Sequence, residues 1–379
     1  MIELSRFLKA LKSVNVNFVT GVPDSLLKDI CGFISDNMSK NKHVIATNEG
    51  SAIGLAIGNY LATESVPLVY LQNSGIGNTI NPLASLADPS VYGIPILLMI
   101  GWRGEINNNI QIKDEPQHLK QGEITLSQLD LLDIPYVIIS KDSRNIEDLI
   151  SKSVCIAKSR KGPFAIVVRK NSFQKYKKSN EKILKVIDLP SRKKVLKTII
   201  NNIPGNIPIV STTGVASREL FEIRSELGAH HNSDFLTVGG MGHASQIAAG
   251  IAIANTNRKI FCIDGDGAAL MHMGAFAINS DQENLIHILI NNGVHDSVGG
   301  QPTKGQNLNF SKIASEFGYI NSYQVKNINQ IPLLLKKVLK KCGSTFIEII
   351  CKPGFSNNLS RPSISPENSK DSFKSFLSK

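Results

Sequence analysis

The chain has 379 residues, of which 42% are hydrophobic and 19% are charged, and its formal net charge is +11 at pH 7. This composition is that of an ordinary soluble globular protein, long enough to form two or three domains with substantial cores. No apolar run approaches the roughly 20 residues that a helix needs to cross a bilayer, which excludes a membrane-spanning protein.

Short apolar runs alternate with helical patterns along the first half of the chain. The predicted strands are residues 17–20, 43–46, 67–71, 95–100, 135–139 and 163–168. Helical patterns lie between them, for example at 25–37 and 49–62. This alternation predicts an α/β domain with a doubly wound parallel sheet and helices on both faces.

Much of the positive charge lies between residues 158 and 197, where the alternation is interrupted. The basic residues there include Arg169-Lys170, Lys175, Lys177-Lys178, Lys182, Lys185 and Arg192-Lys193-Lys194. Only Phe173 and Tyr176 supply aromatic rings, whereas a nucleic-acid groove would need interleaved aromatics or a recognised fold motif. We therefore interpret the stretch as a solvated linker and expect no nucleic-acid partner.

The alternation resumes after this stretch and predicts a second doubly wound domain. Its predicted strands are residues 207–210, 235–238, 259–263, 285–290 and 345–350. The tail beyond Lys352 is rich in Ser, Asn and Pro and is expected to be largely irregular. We therefore divide the chain into a first domain over 1–172, a basic linker over 173–190 and a second domain over 191–379.

The cysteines indicate a reducing compartment. The five cysteines are odd in number, scattered, and mostly set in apolar segments, which favours reduced thiols over disulfides or a zinc site. The N-terminus enters an amphipathic helical pattern without a signal-peptide layout. Both features predict a cytoplasmic protein without a membrane partner.

Polar motifs follow two predicted strands of the second half. Gly265-Asp266-Gly267 follows one strand, and Asn291-Asn292 closes the next. Parallel α/β sheets bind ligands at the carboxyl ends of their strands. The carboxylate of Asp266 and the amide oxygen of Asn292 suit Mg²⁺ beside a diphosphate. The two glycines permit close approach of the backbone, and a helix beginning near Ala268 directs free N–H groups at phosphate.

Glu49 follows the predicted strand at 43–46 and opens a helix of small residues. A carboxylate in the first turn of a helix is stabilised by the helix dipole, and this alone would account for it. If the edge of the sheet is covered, however, few groups would solvate the carboxylate and its pKa would rise. We therefore interpret Glu49 as a catalytic candidate.

Together, the Gly-Asp-Gly motif, the paired asparagines and Glu49 resemble the motifs of thiamin diphosphate enzymes. The resemblance implies the thiamin diphosphate-binding fold, with a pyrimidine-binding first domain and a diphosphate-binding second domain. It implies thiamin diphosphate and Mg²⁺ as cofactors, with Glu49 hydrogen-bonded to N1′ of the aminopyrimidine. It also implies that Asp266, Asn292 and the backbone carbonyl of Val294 hold Mg²⁺.

Turns after two other strands fit the same resemblance. In resembling enzymes a glycine carbonyl accepts a hydrogen bond from the 4′-amino group, and an apolar residue two positions later keeps the cofactor bent. Gly239 and Met241 occupy those places, although a glycine-rich turn with a core methionine is the simpler interpretation on its own. Thr213-Gly214 similarly looks like a turn beside the diphosphate.

Three further segments follow strands and are not required by thiamin diphosphate chemistry in general. They are Gly21-Val22-Pro23-Asp24-Ser25, the segment from Gly101 to His118, and the residues that follow Asn292. With Arg361-Pro362 in the tail, they resemble phosphonopyruvate decarboxylases over nearly the whole chain, including the lack of a middle domain. The chain also resembles sulfopyruvate decarboxylases, which share the Gly-x-Pro turn.

The resemblance implies decarboxylation of 3-phosphonopyruvate to phosphonoacetaldehyde and CO₂, in the biosynthesis of 2-aminoethylphosphonate. Such a substrate carries a carboxylate and a phosphonate, so its pocket needs cations and donors at fixed spacing. Sulfopyruvate or another 2-oxo acid remains an alternative. The candidate substrate-binding residues are Asp24, Ser25, Arg103, Lys113 and Arg361.

Two histidines are candidates for handling the proton after CO₂ is lost. His118 lies in a loop of the first half, where it could also be an ordinary loop histidine. His295 and Asp296 follow Asn292 so closely that they are expected at the active site, without an assigned role for Asp296. Because Glu49 and Asp266 lie in different domains, the resemblance also implies a homo-oligomer with active sites at subunit interfaces.

Two other classes of protein share some of these features. Gly75-Ile76-Gly77-Asn78-Thr79-Ile80 begins like a dinucleotide-binding turn of an oxidoreductase, but Ile80 replaces the third glycine and no acidic residue is clearly placed after the next strand. A non-catalytic scaffold would need none of Glu49, Asp266 and Asn292. Both classes are therefore disfavoured.

Overall fold

The computed structural model describes residues 1–177, 189–356 and 359–379. Lys178, Lys182 and Lys185 of the predicted linker lie outside the described residues. The chain divides into two compact units, Met1–Lys182 and Ile183–Lys379.

The first unit is built on a parallel sheet. Its strands are β1 (Val19–Gly21), β2 (His43–Ile45), β3 (Leu68–Gln72), β4 (Leu97–Gly101), β5 (Ile106–Asn107), β6 (Ile110–Gln111), β7 (Tyr136–Ile139) and β8 (Phe164–Val168). Its helices are α1 (Leu4–Ser13), α2 (Lys28–Asn37), α3 (Glu49–Thr63), α4 (Ile76–Pro82), α5 (Pro116–Leu131) and α6 (Ile146–Arg160). Six described strands pair in the order β2-β1-β3-β4-β8-β7, whereas β5 and β6 form a separate antiparallel hairpin.

Helices cover both faces of this sheet, which explains its apolar strands. Every residue of β4 and β8 is buried, as expected for central parallel strands between two helical layers. Helices α1, α2 and α6 pack on one face, and α3, α4 and α5 pack on the other.

The second unit is built in the same way. Its strands are β9 (Ile209–Ser211), β10 (Asp234–Leu236), β11 (Ile260–Gly265), β12 (Leu285–Asn291), β13 (Val294–His295), β14 (Gln301–Pro302), β15 (Asn321–Val325) and β16 (Thr345–Ile350). Its helices are α7 (Arg192–Ile200), α8 (Val215–Glu226), α9 (Ala244–Ala254), α10 (Asp266–Met271), α11 (Ala275–Ser280), α12 (Phe310–Glu316), α13 (Ile331–Val338) and α14 (Pro366–Leu377). The main sheet has the order β10-β9-β11-β12-β16-β15 among the described strands, and β13 and β14 form a hairpin.

Some elements begin elsewhere than the sequence patterns predict. Helix α2 begins at Lys28 because the Asp24 carboxylate accepts hydrogen bonds from the backbone N–H groups of Leu26 and Leu27, which holds a turn before the helix. Helix α10 begins at Asp266 rather than near Ala268. The patterns do not predict β15, because this polar edge strand contains no apolar run.

The basic stretch at 158–197 is not solvated throughout. Phe173 is buried, and its ring centroid lies 5.1 Å from that of Phe7. Arg192 is the first residue of α7 and is only 6% exposed. The interpretation as a solvated linker is therefore wrong at these two residues, because an aromatic ring and an ion-paired guanidinium are buried there.

Across the part of the chain that the structure describes, no helix combines the length and the apolar composition needed to cross a membrane.

Candidate active site

Glu49 is the first residue of α3, at the carboxyl end of β2. The preceding residue, Asn48, caps the helix by accepting the backbone N–H of Ser51 at 2.8 Å. The Glu49 side chain is 6% exposed and accepts a hydrogen bond from Asn78 Nδ2 at 2.8 Å. Burial raises the pKa of Glu49, although the Asn78 amide acts in the opposite direction. The structure therefore provides a buried carboxyl group that accepts a proton more readily than an exposed glutamate.

The turn that begins at Gly75, which resembles the start of a dinucleotide-binding motif, packs against the Glu49 carboxyl group. A β-carbon at Gly75 would overlap the Glu49 side chain, so any larger residue there would displace the carboxyl group. Asn78, three residues later, supplies the amide that holds Glu49. Sequence reasoning missed Asn78 as a functional residue, because its partner lies 29 positions earlier in the chain.

Three predicted substrate-binding residues of the first unit line one cavity of about 260 Å³, at the carboxyl ends of β1 and β4. Arg103 donates to Ser25 Oγ at 2.9 Å, and Lys113 lies exposed at the same cavity. The other charged residues that line the cavity are Lys28, Asp29, Glu105, Asp114, Lys170 and Lys175. Together with Arg103 and Lys113, these residues give the cavity five cations and three carboxylates. This excess of positive charge favours an anionic ligand.

Arg103 is itself held by a carboxylate that sequence reasoning missed. Its Nε donates to Asp114 Oδ2 at 2.8 Å, and its Nη2 donates to Asp114 Oδ1. Burial alone would raise the pKa of Asp114, but the Arg103 guanidinium and backbone N–H groups hold that pKa well below its usual range. The guanidinium of Arg103 is therefore fixed. Lys113 forms no ion pair within the described residues.

Asp24 is fully buried and holds the turn that carries Ser25. Its carboxylate accepts from Gln72 Nε2 at 2.6 Å and from the backbone N–H groups of Leu26 and Leu27. Burial raises the pKa of Asp24, and these donors oppose the rise. The structure thus shows Asp24 orienting the loop, and direct contact with substrate stays a prediction.

His118 lies in the first turn of α5 and is 8% exposed. The backbone of Gly104 lies so close that a β-carbon there would overlap the His118 carbonyl oxygen. The loop after β4 and the start of α5 therefore form one packed surface, which brings the loop of Arg103 beside His118.

Asp266 and Asn292 are adjacent at the carboxyl ends of β11 and β12. The Asn292 backbone N–H donates to the Asp266 carboxylate, and Thr303 Oγ1 donates to its Oδ2. The Asp266 side chain is buried, and burial raises its pKa to about 6 despite these donors. The side chain of Asn292 is buried as well, and among the described residues its Oδ1 accepts a single long bond of 3.3 Å, from the Val294 N–H.

These residues fit a divalent cation. Asp266, Asn292 and the Val294 carbonyl offer hard oxygen donors, which Mg²⁺ prefers. A carboxylate whose charged form is penalised by burial would be stabilised by a cation beside it. Thr303 was missed from the sequence, because the β13–β14 hairpin returns it to Asp266 from 37 positions away.

His295 lies against the Gly-Asp-Gly motif. A β-carbon at Gly267 would come 2.7 Å from the His295 ring, so the close approach requires glycine. Burial lowers the pKa of His295 to about 4, which makes the neutral imidazole the dominant form at neutral pH. The structure thus brings His295, Gly267 and Asp266 together.

The remaining predicted cofactor residues lie at the same edge of the second sheet. Gly214 has φ +93° and precedes α8, and a β-carbon there would lie 3.5 Å from Ser297. Gly239 and Met241 lie in the turn after β10, where a β-carbon at Gly242 would lie 2.6 Å from the His272 ring and 3.1 Å from the Ala268 carbonyl oxygen. Thr213 lies in the turn before Gly214, and Gly265 ends β11.

Arg361 is exposed in the tail of the second unit. The segment just before it is held by Arg218 of α8, which donates to the Leu359 carbonyl and, at 3.1 Å, to the Ser360 carbonyl. Substrate binding by Arg361 stays a prediction.

Comparison with known proteins agrees with this geometry. The N-terminal TPP binding domain of thiamine pyrophosphate enzymes matches residues 5–130, and the C-terminal TPP binding domain matches residues 212–349. Phosphonopyruvate decarboxylase of Streptomyces hygroscopicus is 30% identical over 392 residues, which cover 99% of this chain and 94% of that protein. The chain belongs to the thiamine pyrophosphate-dependent decarboxylase family.

Two further members of the family match along their lengths. Phosphonopyruvate decarboxylase of Streptomyces viridochromogenes is 28% identical and is covered to 95%, with all of this chain aligned. Sulfopyruvate decarboxylase of Methanosarcina acetivorans is 26% identical and is covered to 97%, with 98% of this chain aligned. These matches confirm the resemblance, the two-domain α/β fold without a middle domain, and the carboxy-lyase class, against the oxidoreductase alternative.

Proposed function

We propose that the protein is a phosphonopyruvate decarboxylase that uses thiamin diphosphate and Mg²⁺. The observation that carries the proposal is the full-length similarity to two proteins of that name, at 28% and 30% identity. The sulfopyruvate decarboxylase relative is similar over the same length at 26%, so sulfopyruvate is the second candidate substrate.

The second unit would hold the diphosphate end of the cofactor. Asp266, Asn292 and the Val294 carbonyl would hold Mg²⁺, and the N-terminus of α10 would face phosphate oxygens. The turns at Thr213-Gly214 and at Gly239 to Met241 would complete that side. When bound, thiamin diphosphate supplies the electron sink that lets a 2-oxo acid lose CO₂.

Glu49 of the first unit would act on the aminopyrimidine. Because its carboxyl group is buried with a raised pKa, it can hold a proton and share it with a ring nitrogen of the cofactor. Asn78 fixes the position of this carboxyl group. His118 and His295 are our candidates for delivering the proton that replaces CO₂ in the product.

The cavity beside Arg103 would receive the acidic end of the substrate. A phosphonate carries more negative charge near neutral pH than a sulfonate, so a cavity with an excess of cations supports phosphonopyruvate. Lys113 and Ser25 are our candidate donors there, beside Arg103, which Asp114 holds in place. Arg361 is a further candidate from the tail.

The test is CO₂ release measured in parallel with phosphonopyruvate, sulfopyruvate and pyruvate, with thiamin diphosphate and Mg²⁺ present. We expect the highest kcat/KM with phosphonopyruvate and formation of phosphonoacetaldehyde, which would serve 2-aminoethylphosphonate biosynthesis. A higher kcat/KM with sulfopyruvate would contradict the proposed substrate and leave the cofactor proposal unaffected. Turnover that survives complete removal of thiamin diphosphate would overturn the cofactor proposal.

We also propose a homo-oligomer in the cytoplasm. All five cysteines, which lie within the described residues, are free thiols, as is usual in a reducing compartment. The exposed residues of α3 carry no charge, and they are Ser51, Gly54, Leu55, Gly58, Leu61, Ala62 and Thr63. Such a face supports burial against another subunit.

A further inference from the structure

The side chain of Asn292 is held by a buried network from other segments of the second unit. Asn292 Nδ2 donates to Asp296 Oδ2 at 2.7 Å. Arg192 Nη1, from the start of α7, donates to the same oxygen at 2.8 Å. The Gly354 N–H, which follows β16, donates to Asp296 Oδ1 at 3.1 Å. Asp296 therefore joins the loop after β12 to two distant segments.

This network selects one orientation of the Asn292 amide. A carboxylate only accepts hydrogen bonds, so the amide nitrogen of Asn292 must face Asp296. The amide oxygen then points away from Asp296, and its long contact with the Val294 N–H leaves acceptor capacity for a cation. If the amide were reversed, two oxygens would face each other and Asn292 could not be a metal ligand.

Arg192 fixes Asp296 in turn. Its Nε donates to Glu219 Oε2 at 2.8 Å, so the guanidinium spans Glu219 and Asp296. The three side chains are between 3% and 8% exposed, so little solvent competes for the hydrogen bonds between them. One guanidinium between two carboxylates also leaves an excess of negative charge beside Asn292, and a cation at that place would balance it.

We propose that Arg192 and Asp296 are positioning residues, which hold the Asn292 amide oxygen toward Mg²⁺. This inference rests on the proposed cofactor function, since it concerns the same metal site. Neighbours of this kind orient metal ligands, and their loss weakens metal affinity by roughly 10- to 100-fold.

The test is isothermal titration of Mg²⁺ into metal-free full-length protein saturated with thiamin diphosphate, for wild type and Asp296→Asn. The variant keeps the shape of the side chain but leaves one acceptor oxygen, so the donors of Asn292, Arg192 and Gly354 can no longer all be satisfied. We expect its Kd for Mg²⁺ to rise roughly 10- to 100-fold. Arg192→Lys, which keeps the charge and loses the fork, should raise the Kd by a smaller factor.

Asp234→Asn is the matched control. Asp234 also forms a buried pair with two arginine nitrogens, those of Arg224 at 2.9 Å each, but it lies at the start of β10, away from the carboxyl ends of the strands. It should lower the melting temperature without changing the Kd for Mg²⁺.

An unchanged Kd in Asp296→Asn, or an equal rise in Asp234→Asn, would overturn the positioning role and leave the proposed function intact. Wild-type protein that binds no Mg²⁺ with thiamin diphosphate would overturn both the inference and the cofactor proposal.

Discussion

Glu49 is held where two effects act on its carboxyl group in opposite directions. Burial favours the protonated form, whereas the start of α3 and the Asn78 amide favour the ionised form. The balance is a raised pKa, so the group can hold or release a proton nearer to neutral pH than an exposed glutamate. A group of this kind is suited to proton exchange with a cofactor nitrogen.

Replacing Glu49 with glutamine tests this role. Glu49→Gln keeps the shape and the contact with Asn78 but cannot exchange a proton. We expect CO₂ release to fall by about 10²- to 10⁴-fold, as is typical when a general acid–base group is lost, with binding of thiamin diphosphate retained. Glu64→Gln, at the exposed end of the same helix, is the control and should turn over like wild type. Unchanged turnover in Glu49→Gln would contradict the proposed mechanism.

Asp266 makes the metal-free protein sensitive to pH. Its pKa is about 6 in the folded chain and about 3.9 when unfolded. The stability that the protonated carboxyl contributes is therefore fully present below about pH 3.9 and is lost as pH rises through about 6. In EDTA at pH 7.5, Asp266→Asn should be more stable than wild type by on the order of 2–3 kcal/mol, and near pH 4 the two should melt alike.

Thermal unfolding measured in EDTA and in Mg²⁺ with thiamin diphosphate checks this expectation. The cofactors should raise the melting temperature of wild type and have little effect on Asp266→Asn. Asp281→Asn, at an exposed carboxyl of the same unit, should match wild type in both buffers. A lower melting temperature for Asp266→Asn than for wild type in EDTA would show that burial does not penalise this carboxylate.

At the scale of elements, helix α5 and the loop after β4 act as one piece. The Gly122 backbone touches Gly104, so closely that a β-carbon at Gly122 would overlap the Gly104 carbonyl oxygen. Trp102 Nε1 also donates to the Gly122 carbonyl at 2.9 Å. The positions of Arg103 and His118 therefore depend on the absence of a side chain at one helical glycine.

A methyl group added at Gly122 should push helix α5 and the loop after β4 apart. We expect Gly122→Ala to destabilise the protein by about 1–3 kcal/mol, as overpacking does, and to lower kcat/KM because Arg103 and His118 move apart. Gly205→Ala is the control, since a β-carbon there meets open space. Urea unfolding and CO₂ release measure both effects, and a fully active, fully stable Gly122→Ala would show that the contact yields freely.

The sequence predicts the elements better than it predicts their mutual contacts. Buried parallel strands are continuous apolar runs, so they and the polar motifs at their ends can be recognised from local patterns. Edge strand β15 contains no such run, and the patterns miss it. Asn78, Asp114, Thr303 and Arg192 act through partners that only the folded chain brings near. The composition of the stretch at 158–197 predicts a solvated segment, because composition alone does not reveal that the Arg192 guanidinium is buried.

At the scale of the whole molecule, the uncharged face of α3 predicts self-association. Gly58 lies in this face, and a side chain there meets open space within one chain. Gly58→Arg should therefore permit folding and weaken assembly, shifting the mass measured by light scattering from a dimer or larger assembly toward a monomer. Ser159→Arg, on the exposed side of α6, should leave the mass unchanged. A monomeric wild type that is fully active would contradict the proposed assembly.

Both sheets repeat one strand order, in which the second strand of each unit lies at an edge and the fourth lies inside. Glu49 and Gly239 follow corresponding strands, and so do Arg103 and Asn292. This correspondence is consistent with descent of both units from one duplicated ancestor, whose two copies acquired different functions. A gene for this protein could then be divided between residues 177 and 189 with both described sheets left whole, and its two modules could diverge at separate rates.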